Sequence, residues 1–234
     1  MQLQDTSETF FFKLWPWIEA NKIRLIGGGG IIIVVVGLVS LQSHRRAQTE
    51  MDAGMALTQL MMSDPRNNSA ENQAGLFFKL AGQYRGTAAG QRALVQSAAM
   101  LFEGRKYVDA QAQFQQFLGE YPDSLLAPQA ALGLAACLDA QGKADAAAAY
   151  QRVASSYSDS IASPFAKFRL AQIDEQSGKT TEALNLYEDV ARATRGSSLG
   201  SQAALRAMEL KQQNPAPPAS AAPAIPVKSN SGTP

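Results

Sequence analysis

Four phrases in this chain repeat one another at a nearly constant interval. They are YRGTAAGQRAL from Tyr84, YPDSLLAPQAAL from Tyr121, YSDSIASPFAKF from Tyr157 and TRGSSLGSQAAL from Thr194, with starts 37, 36 and 37 residues apart. A period of this size marks a supersecondary unit too small to bury its own apolar face, so successive units must stack on one another. Each phrase opens with turn-forming residues and continues into a stretch with alanine at one offset, Ala93, Ala130, Ala166 or Ala203, where a helix is expected to begin.

A second helix is expected between successive phrases. It carries Ala110 and Phe114, Ala146 and Tyr150, and Ala183 and Tyr187, always four residues apart. That spacing puts both residues on one helical face, where the small one admits a neighbouring helix and the ring fills the space beside it. Gly104, Gly142 and Gly178 stand just before these second helices and suit the tight turn of an antiparallel pair. The expected fold is therefore all-α: helical hairpins stacked into a solenoid with a concave side, over residues 46–212. Residues 47–62 and 71–84 read as an atypical first hairpin and residues 201–212 as the far cap. From residue 213 to 234 the sequence is rich in proline, alanine and serine, the composition of a disordered tail.

Ahead of the repeats, Leu25 to Leu41 reads LIGGGGIIIVVVGLVSL, and no charged residue occurs between Arg24 and His44. At about 1.5 Å per residue this stretch matches roughly 30 Å of hydrocarbon, so residues 24–43 are expected to form a single transmembrane helix. The run exceeds that of a signal peptide and lacks both a small-x-small cleavage site and a following cysteine, so it reads as an uncleaved anchor. Residues 1–23 hold Phe10, Phe11, Phe12, Trp15 and Trp17 beside Lys13 and Lys22, a mixture suited to the headgroup layer. Lys13, Lys22 and Arg24 before the span against Arg45 and Arg46 after it lean toward an N-terminus inside. Gly27, Gly30 and Gly37 fall near one face, where a second membrane helix could approach and the chain could form a homo-oligomer.

Chemistry is harder to find. Lysine plus arginine (21) balances aspartate plus glutamate (20), which leaves no field to gather nucleic acid. Cys137, the one cysteine, stands among Leu134, Ala135, Ala136 and Leu138 and reads as a small core residue, while His44, the one histidine, reads as polar residue at the membrane edge. Asp174 with Glu175, and Glu188 with Asp189, read as solvated helix faces, since adjacent acids on a helix diverge. No nucleophile-base pair, carboxylate pair or metal-ligand spacing is recognisable, so the chain is expected to be no enzyme and to need no cofactor. A solenoid binds along its concave face, lined by the first helix of each pair, and the candidate partner-binding residues there are Arg92, Gln129, Phe165, Gln172 and Arg206.

These repeats resemble the tetratricopeptide repeats in the slightly long form of bacterial envelope proteins. The likeness rests on Gly104, Ala110, Phe114 and Pro122 in GRKYVDAQAQFQQFLGEYPDS, then on Gly142, Ala146 and Tyr150, and on Gly178, Ala183 and Tyr187. The usual first-helix tryptophan is missing, and Ser158 and Arg195 stand where proline is expected. The layout of a short aromatic segment, WIEANK, one span, a basic pair and then repeats is similar to the ancillary translocon subunit family (YfgM-like). That resemblance implies a bacterial inner-membrane protein, single-pass, with periplasmic repeats, associated with the secretion channel and periplasmic chaperones. Two other readings fit the same layout: a self-associating structural envelope protein, and a cytosol-facing organelle import receptor.

Overall fold

A computed structural model describes residue 20, residues 36–62 and residues 69–214. Nine helices occur among the described residues: α1 over residues 36–62, α2 (Ala70–Gln83), α3 (Ala88–Glu103), α4 (Tyr107–Glu120), α5 (Ala127–Ala140), α6 (Ala146–Ser156), α7 (Ala162–Gln176), α8 (Thr180–Ala193) and α9 (Ser198–Gln213), with no strand. The expected span over 24–43 lies for the most part outside the described residues, as do the interfacial segment, apart from residue 20, and nearly all of the proline-rich tail. Among the described residues no helix is long and apolar enough to cross a membrane.

The chain divides into two compact units, one of Met1–Ser63 with Lys79–Gly90, the other of Asp64–Phe78 with Gln91–Pro234. In the first, Ala53 and Leu57 of α1 are buried one turn apart, while Met51, Met55 and Met62 are exposed. The Glu50 carboxylate accepts from the Ala88 amide at 3.1 and 3.2 Å, meeting an otherwise unpaired donor at the start of α3.

In the second unit α4 packs on α5, α5 on α6, α6 on α7, α7 on α8 and α8 on α9, and α5 also touches α7. This is the stacked-hairpin order read from the period: α3/α4, α5/α6 and α7/α8 are the pairs, and among the described residues α9 is a first helix without a second. The repeat alanines Ala93, Ala130, Ala166 and Ala203 are all fully buried, and so are Ala110, Phe114, Tyr150, Ala183 and Tyr187, or nearly so. One apolar cluster joins Ala135, Tyr150, Val153, Ala166 and Leu170 across α5, α6 and α7; the next joins Ala171, Tyr187, Val190, Ala203 and Leu210 across α7, α8 and α9. Small residues let the helices close to contact while one ring per repeat fills the gap between them.

The turn before each first helix holds a hydroxyl at one repeat position, Thr87, Ser124, Ser160 and Ser197. Thr87 donates to Tyr84 O at 2.7 Å and accepts from Gly90 N at 2.9 Å. Ser197 donates to Thr194 O at 2.8 Å and accepts from Gly200 N at 3.0 Å, the geometry of an N-cap. Here the chain folds back so tightly that a Cβ on Gly90 would lie 2.2 Å from Tyr84 O, and one on Gly200 2.3 Å from Thr194 O.

The turn between the two helices of a pair departs from expectation in one repeat. Gly142 (φ 67) and Gly178 (φ 76) adopt the left-handed conformation, as their position before a second helix suggests. In the first pair that conformation falls on Arg105 (φ 61), not on Gly104. Gly104 donates to Met100 O as the last turn of α3 closes, and the reversal comes one residue later. The sequence has its glycine one position early.

Candidate functional site

First helices present a regular stripe to solvent. Three residues at i, i+4 and i+7 recur in each: Arg92, Gln96 and Ala99 on α3; Gln129, Gly133 and Ala136 on α5; Phe165, Arg169 and Gln172 on α7; Gln202, Arg206 and Glu209 on α9. None of them is buried. Arg92, Gln129 and Phe165 thus occupy one repeat position on three successive helices, Gln172 lies two turns on from Phe165, and Arg206 sits in the middle of the α9 stripe. Phe165 is 48% exposed, a large ring with no full cover.

Between consecutive repeats the stripe is tied to the interior by a polar triad that occurs twice. Asp139, near the end of α5, accepts from Tyr150 Oη at 3.2 Å and from Arg169 Nη2 at 2.5 Å, while Arg169 Nη1 donates to Gln172 Oε1 at 2.6 Å. One repeat later Glu175 accepts from Tyr187 Oη at 3.0 Å and from Arg206 through Nε at 3.1 Å and through Nη2, and Arg206 Nη1 reaches Glu209 Oε2 at 2.6 Å. The Arg206 guanidinium holds the Glu175 carboxyl below its ordinary value. Burial pushes the Tyr150 hydroxyl up to about 12, and burial followed by the Glu175 hydrogen bond raises Tyr187 as well, so both rings stay protonated donors. The two arginines, though partly exposed, are therefore each paired with an acid of this chain.

Apart from Arg92 at the α3 end, what remains on the stripe is neutral: the amides of Gln96, Gln129, Gln172 and Gln202, the shallow floor at Gly133 and Ala136, and the Phe165 ring. A primary amide both donates and accepts, which matches a peptide backbone whatever its side chains. At the Phe165 end such a surface offers apolar burial; elsewhere it offers sequence-tolerant hydrogen bonds.

The expectation that Asp174 and Glu175 are merely solvated is corrected here. Asp174 is buried and pairs with Lys179 at 3.3 Å, and Glu175 anchors the second triad. The partners of Glu175 were invisible locally, since Tyr187 and Arg206 lie 12 and 31 residues away. Glu188 and Asp189 are part-exposed, the first paired with Lys211 at 2.5 Å and the second with Lys167 at 3.7 Å. Cys137 is fully buried, and desolvation pushes its thiol up to about 11, away from the reactive thiolate. Sequence reasoning passed over Leu125 (98% exposed) and Ile161 (87% exposed), which occupy one repeat position in the turns before α5 and α7. A large apolar residue inside a turn was the available signal.

The family model for the tetratricopeptide repeat-like domain matches residues 15–156 of this chain. Among solved structures, the chain is similar to the crystal structure of a Podosopora anserina protein described as a kinesin light chain with nearly identical TPR-like repeats. That match has 14% identity and a TM-score of 0.48, and covers 72% of this chain and 92% of the other. The sequence has no significant match among curated proteins.

Proposed function

The chain belongs to the tetratricopeptide repeat-like domain family, and on that premise we propose that it is a membrane-anchored adapter whose first-helix stripe holds a partner protein or an emerging extended chain. Repeat arrays of this kind generally mediate protein–protein interaction through such a face. One observation carries the reading: a solvent-facing row of glutamine amides and one exposed ring, next to arginines already neutralised by Asp139 and Glu175. Over most of its length a row like this favours an uncharged extended segment over a phosphate or an acidic ligand, with Arg92 at the α3 end as the exception.

The finer placement rests on the sequence. The uncharged run over 25–41 and the aromatic, lysine-bearing segment before it support a single N-terminal span, and the family match begins at residue 15, ahead of that run. The layout supports a bacterial inner-membrane protein of the ancillary translocon subunit kind, with repeats on the outer face, near the secretion channel and its chaperones. Binding rather than catalysis is the proposed activity, with no cofactor.

Two experiments test this. Protease added to the outer face of spheroplasts should digest the repeats, read through a tag at the C-terminus; protection until lysis would move the repeats to the cytosol. A photo-crosslinking residue at Gln129 or Phe165 should trap a protein partner in intact membranes, and one at Glu182, on the second-helix side, should not. Equal trapping from all three positions would remove the stripe as the binding face.

A further inference from the structure

Among the described residues the array ends on a first helix, and the repeat register shows what that helix lacks. Two positions of each first helix form its inward face: Val95 and Ala98 on α3, Leu132 and Ala135 on α5, Phe168 and Ala171 on α7, Leu205 and Met208 on α9. Ala98, Ala135 and Ala171 are fully buried, and the Phe168 ring packs edge-on against Tyr187 of the following second helix at 5.4 Å. On α9 the same two positions are both 58% exposed, and both carry large apolar side chains. A terminating cap would be polar there. Beside them a cleft of about 640 Å³ runs between α8 and α9, floored by Ala204 and Met208 and rimmed by Arg192, Arg195 and Lys211 against Glu188.

We propose that this end of the array is a docking seat for one amphipathic helix of a partner protein, with a small residue and an aromatic four residues later on its buried face and acidic residues along its flank. The seat continues an interface already built within the chain, since it is where the second helix of a fourth repeat would lie. The aromatic would sit on Leu205 as Tyr187 sits on Phe168, and the small residue would pass over Met208. Charge selects the acidic flank: around the cleft Lys211 pairs with Glu188 and Arg192 with Asp189, while Arg195 makes no ion pair among the described residues and faces the cleft as a cation for the partner to meet. Residues 215–234 contain no aromatic residue and do not carry the required face. The seat is separate from the glutamine stripe and does not depend on it.

The test uses the full chain in detergent micelles and a lactam-stapled, fluorescein-labelled peptide with the sequence of residues 180–193, which holds Ala183, Tyr187 and three acids against one arginine. Stapling is needed because an unsupported helix of that length is marginal in water. The peptide should bind with saturable anisotropy. Affinity should fall at least tenfold when the peptide carries Tyr187→Ala or the protein carries Met208→Glu. It should fall several-fold, with a shallower salt dependence, in Arg195→Glu, while Leu125→Ser leaves it unchanged. Met208 is exposed, so Met208→Glu is expected to keep its circular dichroism and melting temperature. Three results overturn the proposal: no saturable binding, binding that ignores Met208→Glu, or self-association that Met208→Glu abolishes, which would make a second copy the occupant. Crosslinking from Gln129 and Phe165 reads the stripe independently, so the two ideas fail separately.

Discussion

The junction between the first and second hairpins and the two junctions after it fill the same three positions in opposite ways. At the later junctions an acid near the end of the first helix, a tyrosine on the second and an arginine on the next first helix form Asp139–Tyr150–Arg169 and Glu175–Tyr187–Arg206. At the earlier one the equivalent residues are Phe102, Phe114 and Gly133. There the Phe114 ring occupies the space an arginine would enter, so that a Cβ on Gly133 would lie 2.4 Å from Cζ of that ring. Phe102 turns to Tyr107 instead, with ring centroids 5.2 Å apart. All three positions change together. A tyrosine hydroxyl carried into this interior needs an acceptor, and the acceptor carboxylate needs a cation; removing one member leaves a buried polar group unpaired, whereas removing all three leaves a dry contact.

The sharpest way to break this comparison is Gly133→Arg. Forced against the Phe114 ring, it should cost about 3 kcal/mol, read as a lower urea midpoint at unchanged slope. Adding Phe102→Asp and Phe114→Tyr should return more than half of that loss; if the triple variant is no better than the single one, the three positions are not a unit. In the polar junction, Glu175→Ala removes the acceptor of Tyr187 and the partner of Arg206, and should cost about 1.5 kcal/mol in the same assay.

A smaller effect reads the chemistry. Glu175 has a folded-state value held below its ordinary 4.5, so its contribution is complete above that pH and is lost as pH falls through the depressed folded value. Arg206→Met should lower stability near neutrality by about 1 kcal/mol and flatten the acid-side slope below pH 4.5. An unchanged slope would mean that the carboxylate gains nothing from the pair. The smallest expected effect concerns the turn where the first hairpin differs from the others: Arg105→Gly relieves a left-handed arginine and should add about 0.7 kcal/mol, whereas Gly142→Ala should subtract at least as much.

Much of the fold was legible because it is local. The alanine and aromatic four apart, the turn-forming residues and the buried Cys137 each follow from residues within one or two helical turns of one another, and the period repeats that local pattern. The candidate stripe was legible in part for the same reason: Arg92, Gln129 and Phe165 share a repeat position, and helical phase brought all three to solvent. The role of Glu175 was not, because its partners come from α8 and α9; read alone, two adjacent acids on a helix look solvated. A signal did exist in the way tyrosine, arginine and acid recur together at intervals of 36 and 37 residues while phenylalanine, phenylalanine and glycine replace them together. The shift of the turn from Gly104 to Arg105 had no such signal, since helix ends are decided by closing hydrogen bonds within a residue or two.

By itself, the sequence determined that this chain is a stack of helical hairpins, since a 36- to 37-residue unit with one apolar face per helix has no other way to leave water. Only the tertiary structure decided which charges are paired within the chain and which faces remain open. Those outcomes depend on pairs of side chains brought together from different helices, where the balance between desolvation and pairing is settled by distance and not by spacing along the chain.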